Sequence, residues 1–283
     1  MHRTSQLLWL MLITAISFSA CSFKTVYNNV DYLAAAYIDD YVSLDTPLET
    51  ELELRLSALH NWHRSTQLRQ YTSWLQQLQT AIVKRAGEKE IAHLIEQFES
   101  LIDHSLIKLD DELASFLPQL NKLQQQELFA KLKESNDEFY DDYIAVSIQQ
   151  RTDKYYQRLL DNYETWLDSL TEPQMLLLQE AAENIQSSAE LRLLYRIRWQ
   201  AGIKTILEQT SAPKTRKTRL LKFFVAHKKQ KQTEFKKAAD HNTATITSTT
   251  VKIASSMSPE QLKYFNKTCK RTLRMLTELS ESR

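Results

Sequence analysis

His60 and His63 stand three residues apart in "LHNWHRS", a spacing that places two imidazoles on one face of a helix, within reach of a shared metal ion. Zinc needs further ligands, and none stands at local spacing. Trp62 between the two histidines makes a packed, hydrogen-bonding aromatic patch the expectation, and no metal site is assigned. Carboxylates for acid-base hydrolysis are plentiful in Asp39, Asp40, Asp45, Asp110, Asp111, Asp141 and Asp142. Neighbours at i and i+1 on a helix diverge, however, so these doublets read as solvated faces or helix-start charges. There is no Gly-x-Ser-x-Gly nucleophile signature. The whole chain holds two glycines, Gly87 and Gly202, which rules out a glycine-rich phosphate cradle. The expectation is a protein that is not an enzyme and carries no cofactor.

The remaining chemistry lies at Cys21, at the end of "LLWLMLITAISFSACS". The run Leu7 to Ile16 is too short to cross a hydrocarbon core, which takes ~20 apolar residues. A basic start at His2 and Arg3 and the small-residue stretch Ser17 to Ala20 make residues 1–20 a secretory signal peptide. The segment resembles the lipobox of bacterial lipoproteins, with Ala20 before the cysteine and Phe18 where leucine is commoner. That resemblance implies cleavage before Cys21 and acylation of its thiol and new amine. With Ser22 instead of aspartate next, it also implies release to the outer membrane of a Gram-negative envelope. A thiol is the nucleophile that diacylglyceryl transfer requires, and two or more acyl chains anchor a protein stably. The membrane is therefore the expected partner through covalent lipid at Cys21, and the periplasmic face of the outer membrane the expected location. Cys269 is the only other cysteine; it reads as a small core residue, and lipidation of Cys21 leaves no intramolecular disulfide.

Overall charge is balanced, 36 Lys and Arg against 35 acids, but its distribution is not. Residues 191–240 hold 14 Lys/Arg and three acids, whereas 99–142 hold 11 acids and four Lys. Within "KTRKTRLLKFFVAHKKQKQTEFKK" the cations Lys214, Arg216, Lys217, Arg219, Lys222, Lys228, Lys229 and Lys231 are interleaved with Leu220, Leu221, Phe223 and Phe224. A basic helix with an apolar face is either a membrane-surface element or a bundle helix whose lysines meet water and acidic neighbours. The expected partners are anionic lipid headgroups or an envelope protein; nucleic acid is not expected in the periplasm.

These residues are carried by helices. Tyr27, Val30, Ala34, Tyr37 and Tyr41 recur at three-four spacing, forming a stripe that docks on the body or lies at a membrane interface. Residues 21–26 would be a short tether of at most ~18 Å, which holds the domain, 27–283, against the bilayer. "TPLE" at Thr46 predicts a capping box, followed by a helix that bends near Ser65 and stops at Gly87. Amphipathic stripes follow over Ile91 to Phe116, Leu123 to Tyr143, with a break near Val146, and Tyr155 to Leu170. Thr171-Glu-Pro-Gln174 and Ser258-Pro-Glu-Gln261 are further capping boxes, each after an apolar residue, and Leu123 to Glu127 reads as a degraded third copy. Thr243 to Ile253 is rich in strand-favouring residues, yet a lone strand would lack a partner, so it reads as the weak middle of a helix. The fold expected is all-α, an irregular multi-helix bundle of about eight helices.

"YNNVDYLAAAYIDDYVSLD", Tyr27 to Asp45, with "LHNWHRSTQLRQY" and "ETWLDSLTEPQ", resembles a family of uncharacterised Gram-negative lipoproteins known as a domain of unknown function. Related sequences often carry glycine after Trp-Leu, where this chain has Asp168. The resemblance supports location and fold and brings no activity. The expected role is non-catalytic binding or scaffolding. A chaperone-like role is the alternative, on the similarity of the Leu-Thr-x-x-Gln phrase to that of periplasmic stress chaperones.

Overall fold

The computed structural model describes residues 20–282, with side chains from Phe23 onward. The signal-peptide segment and the side chain of Cys21 lie outside the described residues. The described chain is helical from end to end: α1 (Ala20–Asn28), α2 (Val30–Asp39), α3 (Thr46–Trp62), α4 (Leu68–Val83), α5 (Glu88–Phe116), α6 (Lys122–Tyr143), α7 (Ile148–Leu167), α8 (Glu172–Asn184), α9 (Ala189–Glu208), α10 (Pro213–Ser256) and α11 (Pro259–Glu281). This is the all-α irregular bundle that composition and periodicity predict, more finely divided than about eight helices. The expected tether, residues 21–26, lies within α1, where five residues rise only ~8 Å instead of ~18 Å. The bend expected near Ser65 is a π turn, His63–Gln67, joining α3 to α4; the Ser65 hydroxyl donates to the Asn61 carbonyl across it.

Two long helices form the spine. The ion pairs Lys217–Asp111 and Lys228–Asp103 show that α10, of 44 residues, runs antiparallel to α5, of 29. Two apolar cores lie along them. One gathers Tyr71, Leu75, Phe98, Leu178, Ile253 and Phe265; the other gathers Val42, Leu52, Ala114, Leu207, Leu220 and Phe224. Gly202 on α9 is explained by the second: a Cβ there would sit 2.2 Å from the Phe223 ring, so only glycine lets α9 and α10 approach this closely. The Thr-rich segment is helical, as expected, with threonine hydroxyls bonded along its own backbone. Thr245, Thr249 and Thr250 donate to the carbonyls four residues earlier, and Ile253 is buried.

Several boundaries differ from those expected. The cap of α3 is Asp45, not Thr46: its carboxylate accepts from the Leu48 N–H at 3.2 Å and no box with Glu49 forms. At the end of α4 the left-handed residue is Arg85 (φ 54°), with Ala86 N–H donating to Ala81 in a Schellman turn; Gly87, in extended conformation, starts α5 instead. The degraded copy at Leu123 is an intact box one turn earlier, Asn121 with Gln124, and a fourth is Ser147 with Gln150.

The boxes of α8 and α11 meet. The Gln174 and Gln261 amides, both nearly fully buried, exchange hydrogen bonds at 3.1 and 2.8 Å while each oxygen also accepts the N–H of its own cap residue. Asn136 of α6 and Gln200 of α9 make a second reciprocal amide pair, at 2.6 and 3.3 Å. Such fully satisfied buried pairs fix which turn of one helix faces which turn of the next.

Asp168 closes α7 at φ 73° and ψ −53°, a conformation open to glycine but strained for a residue with a Cβ. Asp168→Gly is expected to stabilise the protein by about 1 kcal/mol, raising Tm by about 2–4 °C. A thermal melt with unchanged or lowered Tm would remove the strain argument.

Candidate functional site

Helices α4, α5, α7, α10 and α11 do not close fully on one another. Between them lies a cavity of about 510 Å³. Its walls are overwhelmingly apolar, from Leu75 of α4, Ile95 and Phe98 of α5, Leu159 of α7, Ile253 of α10 and Leu276 of α11. The volume falls within the roughly 300–1,000 Å³ of small-molecule sites. The periodicity that builds each amphipathic helix supplies these walls. Among the apolar walls stand a few polar side chains, such as Ser105, Asn162 and Thr272.

One polar patch comes from α7 and α9. The Arg158 guanidinium lies 5.7 Å from the Tyr143 ring centroid and donates to the Tyr143 hydroxyl at 3.4 Å. Arg192 enters from α9; burial draws its pKa below the usual arginine value, with Arg158 acting in the same direction against the nearby phenols. Glu99 of α5 also lines the cavity, and burial together with Asp103 and Glu96 raises its carboxyl toward the neutral form. Asn162, one turn beyond Arg158, is 4% exposed, and neither of its amide atoms has a hydrogen-bond partner among the described residues. The hydroxyl of Thr272, 5% exposed on the facing helix α11, is likewise unpartnered.

A second polar wall involves the histidines. His63 accepts or donates a bond with the Tyr27 hydroxyl at 2.9 Å and meets the Tyr71 hydroxyl at 3.4 Å. Burial and the neighbouring His60 pull its pKa down to about 4, so the ring is neutral at physiological pH. His60 is engaged by Asp31 at 3.5 Å and by Arg64 at 3.1 Å. The pair thus clasps α1 and α2 to the π turn, and no three metal-binding side chains converge among the described residues. Of the expected Tyr stripe, Tyr27 docks in this clasp, whereas Val30 and Tyr37 face outward with Val26 and Leu33. Phe23 and Tyr27 are cavity walls, so the cavity comes within two residues of Cys21 in sequence.

The eight cations of the basic segment do not form one surface. Lys217 and Lys228 turn to Asp111 and Asp103 on α5. Arg216 donates to the Leu207 carbonyl and Arg219 to the Gln209 side chain. Lys231 lies over the Tyr195 ring, and burial together with Arg192 brings its pKa down to about 8. Lys214, Lys222 and Lys229 are exposed. Among the acids, Asp39, Asp40, Asp141 and Asp142 are exposed as expected, while Asp110 is half-buried and its pKa is pushed up to about 6 by burial, against Lys228. Cys269 is a fully buried core thiol, raised to about 12 by burial. No helix among the described residues is long and apolar enough to cross a membrane.

Sequence reasoning passed over Arg158, Asn162 and Arg192. The signal was there for the first two: they interrupt the apolar stripe Tyr155, Leu159, Tyr163 and Trp166 on its own face.

A family described as a family of unknown function (DUF6279) matches residues 40–231. No curated protein and no solved structure matches the chain.

Proposed function

The chain belongs to this family of unknown function, and from that premise we propose that it is a lipid-anchored envelope protein, non-catalytic, that holds an acyl chain inside its helical body. The observation that carries the reading is the 510 Å³ apolar cavity. Apolar walls left facing water in such a cleft gain about 25 cal/mol per Å² when a hydrocarbon chain covers them. A flexible hydrocarbon chain is an occupant whose chemistry matches walls so largely apolar. The place of Phe23 and Tyr27 among the walls supports exchange with a membrane to which Cys21 would fasten the same helix. The periplasmic face of the outer membrane is the location proposed with it. Exposed Lys214, Lys222 and Lys229 then remain for anionic headgroups. The chaperone-like alternative shares this cavity as its supporting feature, while its Leu-Thr-x-x-Gln phrase serves as the cap of α8.

Trp74 and Trp166 line the cavity, which makes the test optical. Brominated 16-carbon chains added to the full-length protein in phosphatidylcholine nanodiscs should quench tryptophan emission saturably, and Ala254→Phe, which fills part of the cavity, should abolish most of it. Quenching that persists in a Trp74→Phe/Trp166→Phe variant, or never saturates, would show chains meeting the surface only. For the anchor, Cys21→Ser should lose all label from a palmitate analogue in cells, since a hydroxyl does not replace the thioether. Equal labelling of variant and parent defeats that part.

A further inference from the structure

We propose that the cavity selects amphiphiles with an anionic head, a carboxylate or a phosphate, seated on Asn162 and the Arg158 guanidinium with Arg192 beside them. The inference rests on the cavity being an acyl-chain site and assigns the chemistry at its polar patch. A buried amide whose donor and acceptor both lack partners, such as that of Asn162, is rare in a folded protein, and this one lines a cavity instead of a packed interface. Thr272 presents a second unpartnered donor to the same space from the facing helix. A head group with oxygen acceptors takes bonds from the Asn162 amide N–H and the Thr272 hydroxyl together, the Asn162 carbonyl oxygen being left for a donor on a singly protonated phosphate or a water; a hydrocarbon satisfies none of the three.

The sign of the head follows from the charges around it. Arg158 and Asn162 are four residues apart, on one face of α7, and both line the cavity with Arg192. The two guanidinium groups are near enough to act on each other, and Lys231 acts on Arg192 from the side of α10. The facing acid, Glu99, is shifted toward its neutral form, and Asp103 is engaged by Lys228. With two arginines against one cavity-lining carboxylate, the patch carries more positive than negative charge in an apolar surrounding, where charges interact strongly. Guanidinium forks match carboxylate and phosphate oxygens geometrically, which a hydroxyl or ammonium head does not.

Three photo-crosslinking probes with the same diazirine-bearing 16-carbon chain, ending in carboxylate, phosphate or hydroxyl, test this on the full-length protein in phosphatidylcholine nanodiscs. Adducts are mapped to peptides by mass. Cavity peptides should be labelled at least tenfold more by one or both anionic probes than by the alcohol; the carboxylate and phosphate arms separate a free fatty acid from a phosphate-headed lipid. Arg158→Gln should bring this ratio to within about twofold of one while alcohol labelling stays constant. Asn162→Asp, nearly isosteric and adding a negative charge, should cut anionic labelling alone, and it serves if Arg158→Gln does not fold. Equal cavity labelling by all three probes overturns the head assignment and leaves the acyl site standing. No cavity labelling by any probe overturns both.

Discussion

Stripping the protein of the proposed amphiphile is expected to lower its Tm by about 5–10 °C, and returning a single-chain amphiphile to restore it. A ligand at 100 times its Kd stabilises the state that binds it by ~2.7 kcal/mol. For a domain of this size each kcal/mol moves Tm by about 2–4 °C. The effect is large because the unfolded chain has no cavity with which to compete. Differential scanning calorimetry at several amphiphile concentrations checks it. The Tm should climb with the logarithm of concentration, and the dependence should vanish in Ala254→Phe, which narrows the cavity between α10 and its neighbours. A Tm that ignores the amphiphile in the parent protein would mean that the space is filled by water or by small rearrangements of its walls, and the acyl-chain reading would fall.

The second large effect belongs to the paired caps. Gln174→Leu removes the side chain that accepts the Thr171 N–H and takes one of the two acceptors from the Gln261 Nε2, which keeps only the Ser169 carbonyl. Loss of a cap costs about 0.5–2 kcal/mol, and a buried amide left unsatisfied about 1–3 kcal/mol. We expect a destabilisation of about 2–4 kcal/mol, read as a lower urea midpoint at unchanged slope. Gln174→Leu/Gln261→Leu should lose less than the two single variants summed, by about 0.5–3 kcal/mol, because no buried amide is then left short of the bond to its partner across the helices. Strict additivity would mean that the two amides stabilise their own helices only and do not join α8 to α11.

The helices themselves were legible in the residues. Apolar spacing of three and four marks α5 from Ile91 to Phe116, and the Ser258-Pro-Glu-Gln261 phrase marks the start of α11 to the residue, because periodicity and capping are local physics. Where local rules compete, one neighbour decides. Asp45 outranks Thr46 as cap because its carboxylate reaches the Leu48 amide, and Arg85 takes the left-handed turn that Gly87 seemed made for because the Ala81 and Ile82 carbonyls lie in range of the residues just past the helix end.

The sequence alone determined an all-helical body with segregated charge, two cysteines of which one follows a signal-like segment, and no nucleophile or phosphate-binding motif. Those are properties of composition, period and adjacent residues, and they survive without knowing what packs on what. Only the tertiary structure decided that Gln174 and Gln261, 87 residues apart, share one buried amide pair, that Lys217 and Lys228 neutralise acids of α5, and that Arg158, Asn162, Arg192 and Thr272 face a common space. A cavity is a shortfall of volume between helices distant in sequence. It depends on the sum of side chains meeting from helices as far apart in the chain as α1 and α11, and no stretch of the chain carries that sum by itself.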